Sequence, residues 1–290
     1  MAVSIVRMLS YGHLLDSLVG LSWPSRRTIG TGAAGSHPSR LRGMTSEFTE
    51  YRLYRQGDDP RRLDWKLLAR TDRAYLRITD DHAIRITLLI LDASASLAFP
   101  EDSLDKWVQA RRLAVGLTAV ARGEGDPVGL VVATENGLVR LPPRSRHGVI
   151  GEIARGVDGI SPRGIVDLTQ ALQGIRAGWR VAIISDFLGD EETLRARAAT
   201  LVIEGVEVFA VHVVADEEAS PPGTSRLATD PENQELRRVI HAGVTTEYTG
   251  AFAAWRSGLA SRWRAAGAEY VEVRTGEDTA AAIRRMVRLT

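Results

Sequence analysis

Three oxygen-bearing side chains follow one apolar run of the chain at alternate positions. Asp92, Ser94 and Ser96 come directly after the run ITLLIL at 86–91. In an extended loop, alternate residues project to the same side, so one carboxylate and two hydroxyls can converge on a single point. Oxygen ligands suit a hard cation such as Mg²⁺, Mn²⁺ or Ca²⁺ rather than a soft metal. The spacing therefore predicts a divalent-cation site.

A second carboxylate follows another apolar run. Asp186 comes directly after VAIIS at 181–185. If the two runs form adjacent parallel strands, Asp186 lies beside Asp92 at the carboxyl edge of the sheet, where open α/β sheets bind ligands. Two carboxylates in one cleft are costly without a cation. The alternative is that Asp92 and its serines only cap a loop, or the helix expected to start near Ser103.

The elements that must position these side chains show a regular alternation. Short apolar runs occur at 86–91, 128–133, 181–185, 206–214 and 270–273, and between them apolar residues recur at spacings of three and four. Such alternation predicts a doubly wound, mostly parallel six-stranded α/β sheet with right-handed crossovers. Asn136 and Gly137 favour a two-residue hairpin turn. They predict one antiparallel edge strand on this sheet.

Composition excludes several classes of function. The chain has 290 residues, a net charge of +1 and no cysteine. With this net charge, the chain as a whole has no electrostatic attraction to nucleic acid or to an anionic membrane. The absence of cysteine excludes disulfides, thiolate catalysis and Cys-ligated zinc. No apolar run approaches the roughly 18 to 20 residues of a membrane helix, and the first twenty residues favour an amphipathic helix. We therefore predict a cytoplasmic protein that binds no nucleic acid.

Two enzymatic interpretations fit poorly. The spacing of Gly30, Gly32 and Gly35 matches the dinucleotide fingerprint, but neither an apolar strand before it nor a helix pattern after it is present. An aspartyl-phosphate enzyme needs a second acid two residues after the nucleophile, where this chain has Ser94. We predict no catalytic residue. A metal-dependent phosphohydrolase that uses the same carboxylates is the alternative.

The segment at 46–71, SEFTEYRLYRQGDDPRRLDWKLLART, resembles the signature of the bacterial family called domain of unknown function 58. That signature is approximately E-F-x-x-x-R-x-Y-x-x-G-D-D-x-R-x-I-D-W-x-x-x-A-R. The strand-end D-x-S-x-S similarly resembles the metal-ion-dependent adhesion site of von Willebrand factor A domains. The matching residues of the motif segment are Glu47, Phe48, Arg52, Tyr54, Gly57, Asp58, Asp59, Arg61, Asp64, Trp65 and Arg70.

The resemblance covers nearly the whole chain and implies a domain plan. Residues 1–83 would form an N-terminal helix and the Arg/Asp-rich motif segment, and 84–290 a von Willebrand factor A-like domain with strand order 3-2-1-4-5-6. It also implies a non-enzymatic interaction protein that acts with a MoxR-type AAA+ ATPase in chaperone-like complex assembly or maturation. The implied metal ligands are Asp92, Ser94, Ser96 and Asp186.

One position departs from the family pattern. The family takes a threonine ligand from a G-G-T-D-L-x-x-A-L stretch, whereas residues 164–172 here are GIVDLTQAL, with Val166 at the threonine position. Valine has no oxygen to offer. Asp167 or Thr169 could substitute through a shift of the loop, and a weak or empty site is the alternative. With an empty site, the protein would act as a metal-free scaffold.

The charged side chains of the motif segment allow two interpretations. Its arginines and carboxylates are nearly balanced, so they could form ion pairs that fix the segment against the A-type domain. In that case Phe48, Tyr51, Tyr54 and Trp65 would be a small apolar anchor. The other interpretation is a partner-binding surface. Nucleic-acid binding is not expected, because the interleaved acids repel phosphate.

Overall fold

A computed structural model describes residues 11–25, 34–38, 50–54, 63–71, 73–78, 82–221, 226–229, 237–240 and 242–288. The strands are β1 (Ala34–Pro38), β2 (Glu50–Leu53), β3 (Tyr75–Ile78), β4 (His82–Ala83), β5 (Thr87–Asp92), β6 (Val128–Thr134), β7 (Gly137–Arg144), β8 (Arg180–Ser185), β9 (Glu207–Val214), β10 (Arg226–Thr229), β11 (Arg237–Ile240) and β12 (Glu269–Arg274). The helices are α1 (Gly12–Ser17), α2 (Trp65–Thr71), α3 (Asp105–Gly123), α4 (Val149–Asp158), α5 (Glu191–Ile203), α6 (Asp216–Ala219), α7 (Ala242–Ala265) and α8 (Thr279–Arg288).

The central sheet has six strands in the order β12-β9-β8-β5-β6-β7. All neighbouring pairs are parallel except β6 and β7, which are antiparallel. Numbered along the chain within this sheet, the order is 3-2-1-4-5-6, as the resemblance implied. The doubly wound prediction, with its antiparallel edge strand, is confirmed. The hairpin forms one residue earlier than the Asn136-Gly137 pair predicted. Thr134 pairs with Gly137, so the two turn residues are Glu135 and Asn136, and Gly137, with a φ of +109°, is the first residue of β7.

Helices cover both faces of the sheet. Alternate residues of β5 enter different cores, with Leu89 and Leu91 on one face and Leu88 and Ile90 on the other. The first core is completed by α1, α3, α4 and α8, and the second by α5 and α7. Because both faces are covered, every residue of β5, β8 and β9 is buried. This burial on both faces is the reason why these stretches of the sequence are continuously apolar.

The segment at 11–25 packs into the same core as the sheet. Trp23 is fully buried and lies edge-on to Phe209 of β9, with 5.1 Å between the ring centroids. The guanidinium of the fully buried Arg180 stands 4.2 Å from the Trp23 ring centroid, and its Nη2 donates a 2.8 Å hydrogen bond to the Trp23 carbonyl. Glu207 pairs with Arg180 at 3.3 Å and with Arg85 at 3.0 Å. The domain boundary at residue 83 stays a prediction.

Two further predictions concern the N-terminal part. Gly30 and Gly32 of the fingerprint-like pattern lie outside the described residues, and Gly35, its third glycine, is in strand β1, which pairs with β4. Within the described part of the predicted amphipathic helix, Gly12–Ser17 is helical and Leu14 is buried. None of the helices in the described ranges is both long enough and apolar enough to cross a bilayer.

Candidate functional site

Asp92 ends β5 at the carboxyl edge of the sheet, and the loop that follows turns back around its carboxylate. The backbone N–H of Ser94 donates a 2.8 Å hydrogen bond to Oδ1 of Asp92. The hydroxyls of Ser94 and Ser96 are 3.0 Å apart, with Ser96 in the 3₁₀ helix Ala95–Ala98. All three side chains are buried. The structure therefore brings Asp92, Ser94 and Ser96 together, at the place their spacing indicated.

Ser185, the last residue of β8, faces the same carboxylate. Its hydroxyl donates a 2.6 Å hydrogen bond to Oδ2 of Asp92 and accepts one of 2.9 Å from the N–H of Phe187. The neighbouring parallel strands β5 and β8 pair Leu91 with Ile184, so the next residue of each strand lies side by side. Ser185 was not among the predicted site residues. Strand periodicity is the signal that could have found it, because consecutive side chains point to opposite sides.

Asp186 points elsewhere. Its Oδ2 is 2.6 Å from Nζ of Lys106 on α3, and its Oδ1 accepts a 3.3 Å hydrogen bond from the N–H of Leu188. In this structure the Asp186 carboxylate is paired with a buried ammonium, whereas Asp92 takes its hydrogen bonds from Ser94 and Ser185. The assignment of Asp186 as a metal ligand stays a prediction.

Lys106 was missed by sequence reasoning, although it is fully buried. Its ammonium also contacts Oε1 of Glu218 on α6 at 2.8 Å. Burial acts to lower the pKa of Lys106, but the carboxylates of Asp186 and Glu218 outweigh it and raise that pKa, so the side chain stays charged. Helical spacing could have revealed it, since Lys106 lies four and seven residues before the buried Ala110 and Leu113.

The electrostatics of Asp92 differ from those of an exposed aspartate. Burial, and then the negative charge of Asp186, raise the pKa of Asp92 to about 6. The hydrogen bonds from Ser185 and Ser94 act in the opposite direction. Since burial penalises the charged form of Asp92, a cation placed at its carboxylate would stabilise that form.

A cleft of about 480 Å³ opens beside Asp92. The loop that covers one side is attached to the Asp92 loop, because Ala95 donates to the carbonyl of Gly164 and Arg163 donates to that of Ala93, both at 2.9 Å. The lining residues include Asp92, Ser94, Ile165, Val166, Asp167, Leu168, Thr169, Ser185, Phe187, Asp190 and Glu191. Val166 thus lines the cleft where the family pattern has a threonine.

The two substitute ligands, Asp167 and Thr169, also line this cleft. Asp167 is exposed, and both of its carboxylate oxygens have partners in its own loop. Oδ1 accepts a 2.8 Å hydrogen bond from the N–H of Thr169, and Oδ2 accepts one of 3.0 Å from the Gln170 amide. Use of Asp167 as a ligand would therefore require the loop to give up these contacts.

The residues around Asp92 carry the type of ligand atom that a hard cation prefers. They supply one carboxylate and the hydroxyls of Ser94, Ser96 and Ser185, which are oxygen donors of the type Mg²⁺ and Mn²⁺ prefer. Within the described part of the chain, no three or more His, Asp or Glu side chains form a cluster that could hold a metal. A cation here would rest on one charged ligand, and this predicts modest affinity.

The floor of the cleft is strained. Phe187 has a φ of +54°, in the left-handed region that residues other than glycine rarely adopt. Its buried ring lies 5.0 Å from that of Trp263 and 5.8 Å from that of His212. Burial lowers the pKa of His212 to about 3, and its Nδ1 is 2.5 Å from the hydroxyl of Tyr270. Tight packing holds the strained residue, as is common at binding sites.

The motif segment is described only in part. Glu47, Phe48, Gly57, Asp58, Asp59 and Arg61 lie outside the described residues. Arg52 is in β2 and Tyr54 follows it, and β2 pairs with β3 in antiparallel fashion. Asp64 caps the start of α2, since its Oδ1 accepts a 2.9 Å hydrogen bond from the N–H of Leu67.

Trp65 does not form the apolar anchor that the ion-pair interpretation assigned to it. Its side chain is 63% exposed, Leu53 on β2 is 54% exposed, and Arg70 at the end of α2 is also exposed. The described part of the segment thus exposes two large apolar side chains. The partner-binding surface and the ion-pair network both stay predictions for the segment as a whole.

The chain is similar to mycobacterial proteins of unassigned role. It is 31% identical over 265 residues to the uncharacterized protein Rv1480 of Mycobacterium tuberculosis and to the uncharacterized protein Mb1516 of Mycobacterium bovis. The aligned region covers 87% of this chain and 82% of each relative.

Solved structures with a similar fold include two chains that the match covers almost completely. One is an aerotolerance-related membrane protein from Bacteroides fragilis, with 18% identity, a TM-score of 0.46 and coverage of 71% of this chain and 97% of that one. The other is the SpRpn10 VWA domain, with 12% identity, a TM-score of 0.38 and coverage of 69% and 94%. The strand order and the antiparallel edge strand of this chain are those of a doubly wound α/β fold.

The prediction of a cytoplasmic location is wrong as an inference from composition. A similar solved chain is described as a membrane protein. The lack of cysteine and of a long apolar run reports only on disulfides and on spanning segments in the sequence, and neither determines where a chain resides. The location is therefore left open.

Family membership rests on the sequence itself. The model of the family described as protein of unknown function DUF58 matches residues 50–256, which include the motif segment from residue 50 onward, Asp92 and the cleft loops. That range is more than half of the chain, and the chain therefore belongs to the DUF58 family.

Proposed function

We propose that this protein is a non-enzymatic protein-interaction module, and that its cleft binds a divalent cation and, through it, an acidic side chain of a partner protein. The observation that carries the proposal is the buried carboxylate of Asp92, which faces the cleft among hydroxyls. Burial disfavours its charge, so a bound cation would stabilise the site. Mg²⁺ is the proposed ion, with Mn²⁺ or Ca²⁺ as substitutes.

The proposed ligands are Asp92, Ser94 and Ser96, with Ser185 as an added hydroxyl at the same carboxylate. Asp186 contributes to the site through position and charge, since Lys106 holds its carboxylate. A divalent cation bound by one carboxylate keeps a net positive charge. It would supply an attachment point for a partner's carboxylate, which completes the ligand set.

For the partner we propose a MoxR-type AAA+ ATPase or one of its client proteins. This step rests on the family resemblance of the motif segment, and exposed Trp65 and Leu53 support it by offering a second apolar surface on that segment. The proposed process is chaperone-like assembly or maturation of a complex. In this arrangement the cleft and the motif segment would contact different parts of the assembly.

Isothermal calorimetry with Mg²⁺ and Mn²⁺ tests the cation. We expect saturable binding to the wild type and none to Asp92→Ala, because the single charged ligand is lost. A matched control is Asp102→Ala, which removes an exposed aspartate outside the cleft lining and should bind like the wild type.

Negligible heats for both the wild type and Asp92→Ala would contradict the cation site. The same two variants extend the test to the partner, with a purified MoxR-type ATPase passed over the immobilised full chain. Binding is expected to fall in EDTA and in Asp92→Ala. If binding of the partner is undiminished both in EDTA and in Asp92→Ala, the partner does not bind through this cleft.

A gain of affinity is expected from Val166→Thr. This substitution restores an oxygen on the loop beside Asp92 at almost unchanged volume, and one additional or better-oriented oxygen changes metal affinity by about tenfold or more. Calorimetry with Mg²⁺ measures the change. Val139→Thr is the control, because Val139 is a 43% exposed residue of β7 outside the cleft lining. An unchanged dissociation constant in Val166→Thr would show that position 166 does not face the cation.

A further inference from the structure

We infer that the partner segment bound at this cleft carries a bulky apolar side chain and a basic side chain next to its acidic residue. The inference rests on the proposed function, in that the cleft is the docking site. It adds which kind of segment the cleft accepts. Two features of the cleft mouth carry it, namely an exposed apolar rim and carboxylates with no basic neighbour in the lining.

The apolar rim consists of Ile165 and Leu188. Ile165 lines the cleft and is 70% exposed, and Leu188 is 47% exposed between Phe187 and Gly189, which both line the cleft. Ile165 belongs to the loop that follows Gly164, and Leu188 to the loop that follows β8. Their exposure leaves apolar area in water at the entrance, and a bulky apolar side chain placed between them would remove that area from water.

The interior of the cleft continues this apolar surface. Val166, Leu168 and Leu194 line it together with the buried Phe187. A volume of about 480 Å³ is enough for a few side chains of a bound segment, and it is within the usual range of ligand pockets. The cleft therefore fits an extended piece of a partner chain, with one apolar side chain inserted beside the Asp92 oxygens.

The negative charge at the cleft mouth favours a partner segment with a basic residue next to its acidic one. Asp167 and Asp190 line the cleft and are exposed, whereas the described lining contains no Lys, Arg or His. The charge of Glu191 is offset by Arg195 at 2.9 Å and Arg262 at 3.5 Å. A cation at Asp92 leaves the two exposed aspartates as the uncompensated charges. A Lys or Arg side chain complements them, and a run of acidic residues would be repelled.

The test uses the full chain and a fluorescein-labelled synthetic peptide with Leu, Glu, Leu and Lys in succession between glycine pairs. Binding is followed by fluorescence anisotropy in MgCl₂. Two companion peptides replace both Leu by Ser, or Lys by Gln. We expect the Ser peptide to bind about tenfold more weakly, because a buried apolar side chain is lost.

Two variants of the protein address the two features of the mouth. The double variant Ile165→Ser, Leu188→Ser should bind the peptide that contains Leu about tenfold more weakly than the wild type does. The control Ile203→Ser, at an 87% exposed site at the far end of α5, should bind this peptide with unchanged affinity. Asp190→Asn keeps the cap on Thr193 but removes the charge, so the preference for Lys over Gln should fall about threefold.

The outcomes separate this inference from the proposed function. Equal affinity of the three peptides, absence of binding, or a double variant that matches Ile203→Ser overturns the inference. Loss of binding in EDTA or in Asp92→Ala reports on the cation instead, and leaves the comparison between peptides unaffected at saturating Mg²⁺. Self-association of the wild type that the double variant abolishes, seen by sedimentation, would assign the rim to a second copy and also overturn the inference.

Discussion

Replacing Lys106 by methionine is expected to lower the free energy of unfolding by about 3 to 5 kcal/mol, the usual cost of removing one partner from a buried ion pair. Lys106 is fully buried and contacts Asp186 at 2.6 Å and Glu218 at 2.8 Å. Methionine preserves much of the volume of the side chain but leaves the Asp186 carboxylate buried without its counter-ion. Urea denaturation followed by circular dichroism measures the change.

The chain contains its own control, because it has only two lysines. Lys66 is exposed on α2, and Lys66→Met should change the free energy of unfolding by less than about 0.5 kcal/mol. Adding Asp186→Asn and Glu218→Gln to Lys106→Met should restore part of the loss, since no buried charge is then unpaired. If Lys106→Met were as stable as Lys66→Met, the ion pair would have no structural role.

The Lys106 contact also has a consequence for the cleft. Asp186 is followed by the strained Phe187 and by Leu188, whose N–H donates to the Asp186 carboxylate. The ion pair therefore helps to hold the loop that carries one wall of the cleft and half of its apolar rim. A variant that loses the ion pair is expected to lose order in this loop before the sheet unfolds.

The second large effect is expected at the opposite edge of the sheet, where Trp23→Ala should cost about 3 to 5 kcal/mol of unfolding free energy. Trp23 is fully buried, contacts Phe209 and covers the guanidinium of Arg180. Its loss leaves a cavity and removes the ring that covers the buried guanidinium of Arg180. Thermal and urea denaturation measure the effect.

Trp65→Ala is the matched control for this prediction. Trp65 is 63% exposed, so its removal should change stability by less than about 0.5 kcal/mol. Equal losses in the two tryptophan variants would contradict the packing of segment 11–25 against the sheet. A large effect for Trp23→Ala alone would make this segment a structural part of the α/β domain, although it precedes the motif segment in the sequence.

Much of the fold follows from local patterns. The runs at 86–91, 181–185 and 206–214 are continuous apolar stretches because both faces of those strands are covered, and each became a strand within one or two residues of its expected bounds. Asn136 and Gly137 indicated the hairpin to within one residue, because glycine adopts without steric penalty the positive φ that Gly137 has directly after the turn. Local pattern could not show that Trp23 lies against Phe209, since 186 positions separate them in the numbering.

For the candidate site, the sequence by itself determined that Asp92, Ser94 and Ser96 converge, because their spacing and the preceding strand are enough to place three oxygens on one side of a loop. Only the tertiary structure decided that Ser185 rather than Asp186 faces Asp92, since that choice depends on the register of β8 against β5. It also decided that Lys106 neutralises Asp186 and that Ile165 lines the cleft beside Asp92. The physical reason is that ion pairing, burial and exposure depend on residues brought together from distant parts of the chain, and no local pattern records them.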